Sequence, residues 1–357
     1  MSPGSTTSSR RLQWIQILRA IAASSVVLHH ATYYAFSRTG AGDGADQNSI
    51  FAAGVDLFFV ISGFIMMMVS DPANGRESRR SAFIFSRITR IVPLYWLYTI
   101  VLSAAAIVVP GIIRSTQVSG ESIVKSLLFI PFFQPNGNLS PILGVGWTLN
   151  YEMGFYAVFA LLLGLGMRAR VPAMALAFLA LFILGKVLGT DNPFGVFLGH
   201  SITFEFVAGM ALYLLHRQGR RATPIQAAAL LCFAVLVFGW SAINGPPSLD
   251  MRFFLWGLPA IAVVFAALSF PDVKGRLGRP LELLGDASYS IYLSHLFVIA
   301  ALFMVMHRVG LASPGLFITM AVVVSLAVGT VSYRFIELPL LRAARSGASR
   351  FRRQRPI

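Results

Sequence analysis

The sequence predicts an all-α bundle of about ten transmembrane helices with both termini on the cytoplasmic side, and three observations carry that reading. The composition is 56% hydrophobic and 12% charged with a mean hydropathy of +0.71, whereas soluble domains carry roughly 25% charged residues. Apolar runs near the ~20 residues needed to cross a bilayer recur along the whole chain. The basic residues are distributed unevenly between the connecting segments, as the positive-inside rule requires.

The predicted spans are 15–34, 51–69, 91–109, 149–166, 173–189, 199–215, 225–243, 253–270, 289–306 and 315–336. The first follows Ser8-Ser9-Arg10-Arg11, which resembles a twin-arginine signal. Arg19 interrupts the apolar run and no small-residue cleavage site follows, so the segment reads as a retained span. Between the third and fourth spans, 123–133 is apolar but short and closed by Pro131 and Pro135. It reads as an interfacial or re-entrant piece. Cys232, the lone cysteine, falls within the seventh span and reads as a small core residue, and it leaves no intrachain disulfide or cysteine-based metal site. The domain division is a tail at 1–14, a membrane domain at 15–336 and a basic tail at 337–357. No repeat interrupts it.

With the N-terminus cytoplasmic, the inner segments hold 21 Lys and Arg and the outer loops five: Arg38, Arg114, Lys125, Arg252 and Arg308. A net charge of +15 distributed this way reads as topogenic. The basic tail from Arg342 is then an anchor beside anionic membrane lipid, and nucleic acid is not the expected partner.

Ionisable groups inside a bilayer cost at least ~2.5 kcal/mol each, so each needs a partner or a task. On the first span Arg19 and His30 are eleven residues apart, which returns them to nearly the same helix face, ~16 Å apart along the axis. His29 points about a quarter-turn aside. Asp56, near the outer end of the second span, has a predicted depth similar to that of His30 and is the candidate to orient its imidazole, leaving one nitrogen as a base. Buried His and Asp that only join two helices are the plainer alternative. In the outer half, Trp147, Glu152, His200 and Glu205 combine an aromatic face with carboxylates, as carbohydrate sites do. Taken alone, Trp147 reads more readily as a belt tryptophan at the interface. At the inner edge stand Arg87, Arg90 and Arg19, with Tyr289, Ser290, Tyr292, Ser294 and His295 opening the ninth span. Guanidinium groups placed there suit a phosphorylated cofactor. Glu337 is a candidate ion-pair partner for one of these arginines.

The motifs Leu18-Arg19-Ala20-Ile21-Ala22-Ala23 leading to His29-His30, Gly54-Val55-Asp56-Leu57-Phe58-Phe59-Val60-Ile61-Ser62-Gly63-Phe64, Arg87-Ile88-Thr89-Arg90, Trp147-Thr148-Leu149 with Glu152, Tyr289-Ser290-Ile291-Tyr292-Leu293-Ser294-His295 and Glu337-Leu338-Pro339-Leu340 occur in that order along nearly the whole chain. Each is weak alone, but the ordered set resembles the acyltransferase 3 family of membrane acyltransferases, in its exopolysaccharide O-acetyltransferase branch. The resemblance implies a multi-pass protein of the bacterial inner membrane that moves an acyl group, acetyl by analogy, from acetyl-CoA to a carbohydrate hydroxyl without a metal. It assigns His30 to catalysis and Arg19, Arg87 and Arg90 to acyl-CoA binding or catalysis.

Combined with the residue reading, the catalytic set is His30, Asp56 and Glu152. The cofactor set is Arg19, Arg87, Arg90, Tyr292 and His295, and the acceptor set is Trp147 and Glu205. Some members of that family carry a hydrolase-like domain after the last span, and none is expected here. Direct transfer and an acyl-imidazole intermediate both fit this arrangement. A transporter of polysaccharide or lipid-linked sugar is the alternative class, since it also needs polar residues within a helical bundle. The acceptor sugar, the choice between acetyl, succinyl or a longer acyl group, and the oligomeric state are left open by the sequence.

Overall fold

The computed structural model describes residues 12–37, 50–74, 80–109, 118–273, 278–311 and 313–353. Arg10, Arg11, Arg38, Arg76, Arg79, Arg114, Lys274, Arg276 and Arg355, which enter the charge distribution, lie outside these residues. The described chain is helical, and its one β-bridge is an isolated pair, Phe133 with Leu139. All ten predicted spans fall on helices. Among the described residues seven helices are long and apolar enough to cross a membrane: 50–69, 80–108, 167–188, 193–217, 224–244, 288–308 and 314–344.

In chain order the elements are α1 (Gln13–Ser37), α2 (Gly54–Val69), α3 (Arg80–Val108), α4 (Gly120–Leu127), α5 (Trp147–Leu162), α6 (Met167–Leu188), α7 (Pro193–Leu198), α8 (Thr203–Arg217), α9 (Pro224–Asn244), α10 (Leu258–Ala267), α11 (Gly278–Asp286), α12 (Ser288–Arg308), α13 (Pro314–Ser332) and α14 (Leu338–Arg353). Capping residues set several starts. Ser119 and Thr223 each accept from the N–H three residues on, and the Ser122 and Gln226 side chains reciprocate. The predicted re-entrant piece is the eight-residue α4 followed by irregular chain. Tyr95 and Trp96 of α3 hold it by donating to the Ser126 and Leu127 carbonyls at 3.1 and 2.8 Å.

The bundle carries apolar side chains on its outside, with Val187, Val235, Leu236 and Ile243 all largely exposed. Arg19, Asp56, Glu205, His295 and Glu337 are inside. This inversion of the soluble pattern suits a hydrocarbon surround. Cys232 belongs to the outward face of α9, contrary to its reading as a core residue. The helix buries only a narrow seam of Ala227, Ala234 and Ser241, and the cysteine is off that seam.

Helices α2 and α8 approach each other closely, backbone to backbone. A Cβ added to Gly63 would stand 2.0 Å from the Phe206 carbonyl oxygen, and one added to Gly209 would stand 1.9 Å from that of Val60. Small residues permit such packing where there is no water to drive association. Beside this contact Phe59, Phe206 and Phe155 stack in series, with ring centroids 4.5 and 4.4 Å apart. That stack fixes α2, α5 and α8 as the frame around the polar interior.

Candidate active site

The polar interior comprises three adjoining groups. The first lines a cavity of about 90 Å³ enclosed by α1, α2, α3, α5 and α12. Arg19 enters from α1, and Arg87 and Arg90 enter from the N-terminal half of α3, three residues apart and so on neighbouring positions of one face. Arg19 Nη2 donates to Ser288 Oγ at 2.9 Å, and Nη1 donates to Gln16 Oε1 at 3.1 Å. Arg87 Nη2 donates to Ser86 Oγ at 3.0 Å, while its Nε is buried without a partner. Glu152 faces these arginines and accepts from Ser62 Oγ at 3.2 Å and from the Tyr156 hydroxyl. The Tyr292 hydroxyl, also lining the cavity, donates to the Val145 carbonyl at 2.9 Å and lies 2.8 Å from Thr148 Oγ1.

A second cavity of about 330 Å³ adjoins the first, with Arg19 and Arg90 lining both. Glu337 and Arg342 stand at its far side, and Ser290 Oγ donates to Glu337 at 2.6 Å. A π-helical turn, Tyr333–Glu337, delivers Glu337 between α13 and α14, a distortion often found at functional positions. Four guanidinium groups, those of Arg19, Arg87, Arg90 and Arg342, one with an unused buried donor, give the paired cavities the chemistry of an anion site.

The second group is histidine-rich. His30 lies with its ring centroid 5.1 Å from His295 and 4.9 Å from His29. His295 Nδ1 is 3.2 Å from the Ile291 carbonyl oxygen on its own helix, and its Nε2 is buried without a partner. Tyr292 links this group to the arginine cavity, its ring centroid 6.0 Å from that of His295.

The third group is built around Arg252. Ser201 Oγ donates to the Leu249 carbonyl at 2.6 Å and accepts from the Phe253 N–H at 3.2 Å, which holds the chain on either side of Arg252 against α8. The guanidinium then pairs with Asp56 through two bonds, Nε to Oδ1 at 3.0 Å and Nη2 to Oδ2 at 2.8 Å. It also sits over Trp256 and Trp147, 4.7 and 5.8 Å from their ring centroids. Trp147 stacks on His200 at 6.5 Å. Glu205 is fully buried beside Asp56, its carboxyl group within hydrogen-bonding reach of the Asp56 carboxylate.

The expected hydrogen bond from His30 to Asp56 is not formed, and the carboxylate is paired with Arg252 instead. The reason is depth. Gly54 at the start of α2 packs against Ala22, Ser25 and Val26, one to two turns N-terminal of His30 on α1, and Asp56 follows beyond it. The predicted cofactor residues Arg19, Arg87, Arg90 and Tyr292 do converge, and Glu152 joins them instead of standing with Trp147. His295 stands beside His30, outside the set that lines the cavity. Trp147 shares the third group with Glu205's neighbour Arg252.

Sequence reading missed Arg252, which it counted as a loop charge. The available signal was an arginine on the side poor in basic residues, immediately preceding an apolar run.

The profile of the acyltransferase 3 family, described as an acyltransferase domain, matches residues 12–334. The exopolysaccharide production protein ExoZ of Rhizobium meliloti (strain 1021) is 39% identical over 302 residues, covering 84% of this chain and 92% of that protein. The putative peptidoglycan O-acetyltransferase YrhL of Bacillus subtilis (strain 168) is 28% identical, over 94% of this chain and 56% of its own length. Peptidoglycan O-acetyltransferase OatA of Listeria monocytogenes is 24% identical, over 90% of this chain and 54% of its own length. No solved structure matches the chain. With the profile match extending over nearly all of a multi-pass helical bundle, the chain belongs to the acyltransferase 3 family and is an acyltransferase.

Proposed function

We propose that the protein transfers an acyl group, acetyl in the first instance, from cytoplasmic acyl-CoA to a hydroxyl of an extracytoplasmic or membrane-associated carbohydrate such as an exopolysaccharide. The observation that carries this reading is the convergence of Arg19, Arg87 and Arg90 on one cavity whose lining includes Tyr292, with the Tyr292 ring 6.0 Å from that of His295 and the His295 ring 5.1 Å from that of His30. Arg19 and His30 are on one helix, ~16 Å apart along its axis, a span comparable to an extended pantetheine arm. The buried, unpartnered Nε of Arg87 suits an anionic oxygen of the donor. The relatives' names, exopolysaccharide production and peptidoglycan O-acetylation, support a carbohydrate acceptor.

In this reading the arginines hold the phosphates at the inner end, and His30 acts at the outer end. His30 takes the proton of the acceptor hydroxyl as its oxygen bonds to the acyl carbonyl carbon. The carbon–sulfur bond then breaks, and the imidazolium returns the proton to the departing thiolate. Glu152, hydrogen-bonded to Ser62 and Tyr156, sets the cavity's polarity opposite the arginines.

The experiment is calorimetric binding of acetyl-CoA to the purified protein, beside transfer of labelled acetyl from acetyl-CoA into the carbohydrate of membranes containing it. Binding with transfer is expected. A protein that neither binds acetyl-CoA nor alters the mass spectrum of the cell's glycans refutes the reading.

A further inference from the structure

We propose that His295 is the positioning residue of His30, with its Nε2 accepting the N–H of one His30 nitrogen so that the other is free to take a proton. The inference rests on the acyl-transfer reading, in which His30 is the base, and it answers the question that the Arg252–Asp56 pair raises. No hydrogen bond joins His30 to Asp56, which pairs with Arg252 and follows Gly54, itself packed one to two turns from His30 along α1.

The argument begins at His295 Nδ1. It lies 3.2 Å from the Ile291 carbonyl oxygen, one turn back on α12. A carbonyl oxygen only accepts, so Nδ1 carries the proton, and a neutral imidazole protonated at Nδ1 has its lone pair on Nε2. That nitrogen is buried, has no partner and belongs to a side chain with 0% exposure. Leaving a buried acceptor unsatisfied is costly, so a donor is expected at this point. Because Nδ1 is directed back along α12, Nε2 faces away from its own backbone, and the neighbouring ring is that of His30. The centroids are 5.1 Å apart with the planes 36° from each other. With the His295 ring held by its contact to the Ile291 carbonyl, the proposed bond requires a rotation of the His30 ring about χ2.

His29 Nδ1 is also buried without a partner. Its ring, however, meets His30 edge to face at 62°, an arrangement that directs an edge at a π face and not at a ring nitrogen. Tyr292, the other polar neighbour of His295, has its hydroxyl engaged by Val145 and Thr148. His30 therefore remains as the donor. A neutral acceptor suits this place, since it orients the base without adding another charge to the bilayer interior.

Two substitutions separate the nitrogens. His295→Gln places an amide near the position of Nε2, while His295→Asn places one near Nδ1 and falls short of His30. The readouts are labelled acetyl transfer by membranes, acetyl-CoA affinity of the purified variants, and 15N spectra of histidine-labelled protein with His30 assigned from the His30→Ala spectrum. His295→Asn should lower turnover by about 10- to 100-fold, part of the ~10² to 10⁴ that a general base supplies, with acetyl-CoA affinity unchanged. His295→Gln should restore most of that loss. In the wild type, His295 should carry its proton on Nδ1 and His30 should show one hydrogen-bonded N–H.

Equal turnover in the two variants overturns the proposal, as does weakened acetyl-CoA binding at unchanged turnover, which would return His295 to the donor site. A wild-type spectrum with the His295 proton on Nε2 overturns it without any variant. Wild-type protein that neither binds nor transfers acetyl refutes the acyl-transfer reading itself, and the spectra distinguish that outcome from a failure of the histidine pair alone.

Discussion

Asp56 and Arg252 are a buried pair whose removal exposes what each does for the other. Asp56→Asn keeps the size but leaves the guanidinium without its counter-charge. Breaking a buried pair from one side costs ~3 to 5 kcal/mol. A large drop in the thermal unfolding midpoint in detergent is expected, together with less accumulated protein. Replacing both residues, with Asp56→Asn and Arg252→Met, should destabilise by clearly less than the sum of the single changes, because the two are directly coupled. Additive losses would mean that the pair contributes no mutual stabilisation. The donor site and the base should also separate. His30→Ala should lower turnover by at least ~100-fold while acetyl-CoA still binds. Arg87→Ala or Arg90→Ala should weaken acetyl-CoA binding by roughly 10- to 150-fold, the equivalent of ~1.5 to 3 kcal/mol for a charge-assisted bond. Calorimetry beside initial rates checks both, and loss of acetyl-CoA binding in His30→Ala with normal binding in the arginine variants would reverse the proposed orientation of the donor.

Among the elements, the crossing of α2 with α8 places Asp56 and Ser62 opposite their partners, and it depends on two glycines. Gly63→Ala would drive a methyl group into the Phe206 carbonyl, and Gly209→Ala would do the same at Val60. Neither obstacle is the flexible end of a side chain, so the helices must separate. Either change should abolish accumulation of folded protein, measured by gel-filtration profile and yield. Gly239→Ala on α9, where an added Cβ meets nothing within 4 Å, should be tolerated and serves as the control. The helices themselves were legible from apolar run length, and so was the break at 123–133, because Pro131 and Pro135 close it. Their neighbours were not. The Gly63 and Gly209 contact joins segments far apart in sequence, and no periodicity within either helix names the other. Cys232 was misplaced for the same reason, since an apolar helix shows no polar stripe from which to tell its lipid face from its packed face.

For the whole molecule, the charge distribution makes a topological prediction that the bundle alone does not test. Reporter fusions after Gly219 should report cytoplasm, and fusions after Pro247 should report the exterior, with α9 between them. Inversion of that pair would place His30 on the donor's side of the membrane and undo the proposed division between cytoplasmic donor and external acceptor. The sequence by itself determined the membrane class, the helical segments, the family and the grouping of Arg19, Arg87 and Arg90. Each of these follows from local composition or ordered motifs, and bilayer thickness converts local hydrophobicity directly into helices. Only the tertiary structure decided which charges meet. It gave Asp56 to Arg252, moved Glu152 into the arginine cavity and set His295 beside His30. Pairing inside a bundle depends on the relative depth and rotation of neighbouring helices, and a displacement of one or two turns, as between α1 and α2, changes every partner without altering any pattern within a single helix.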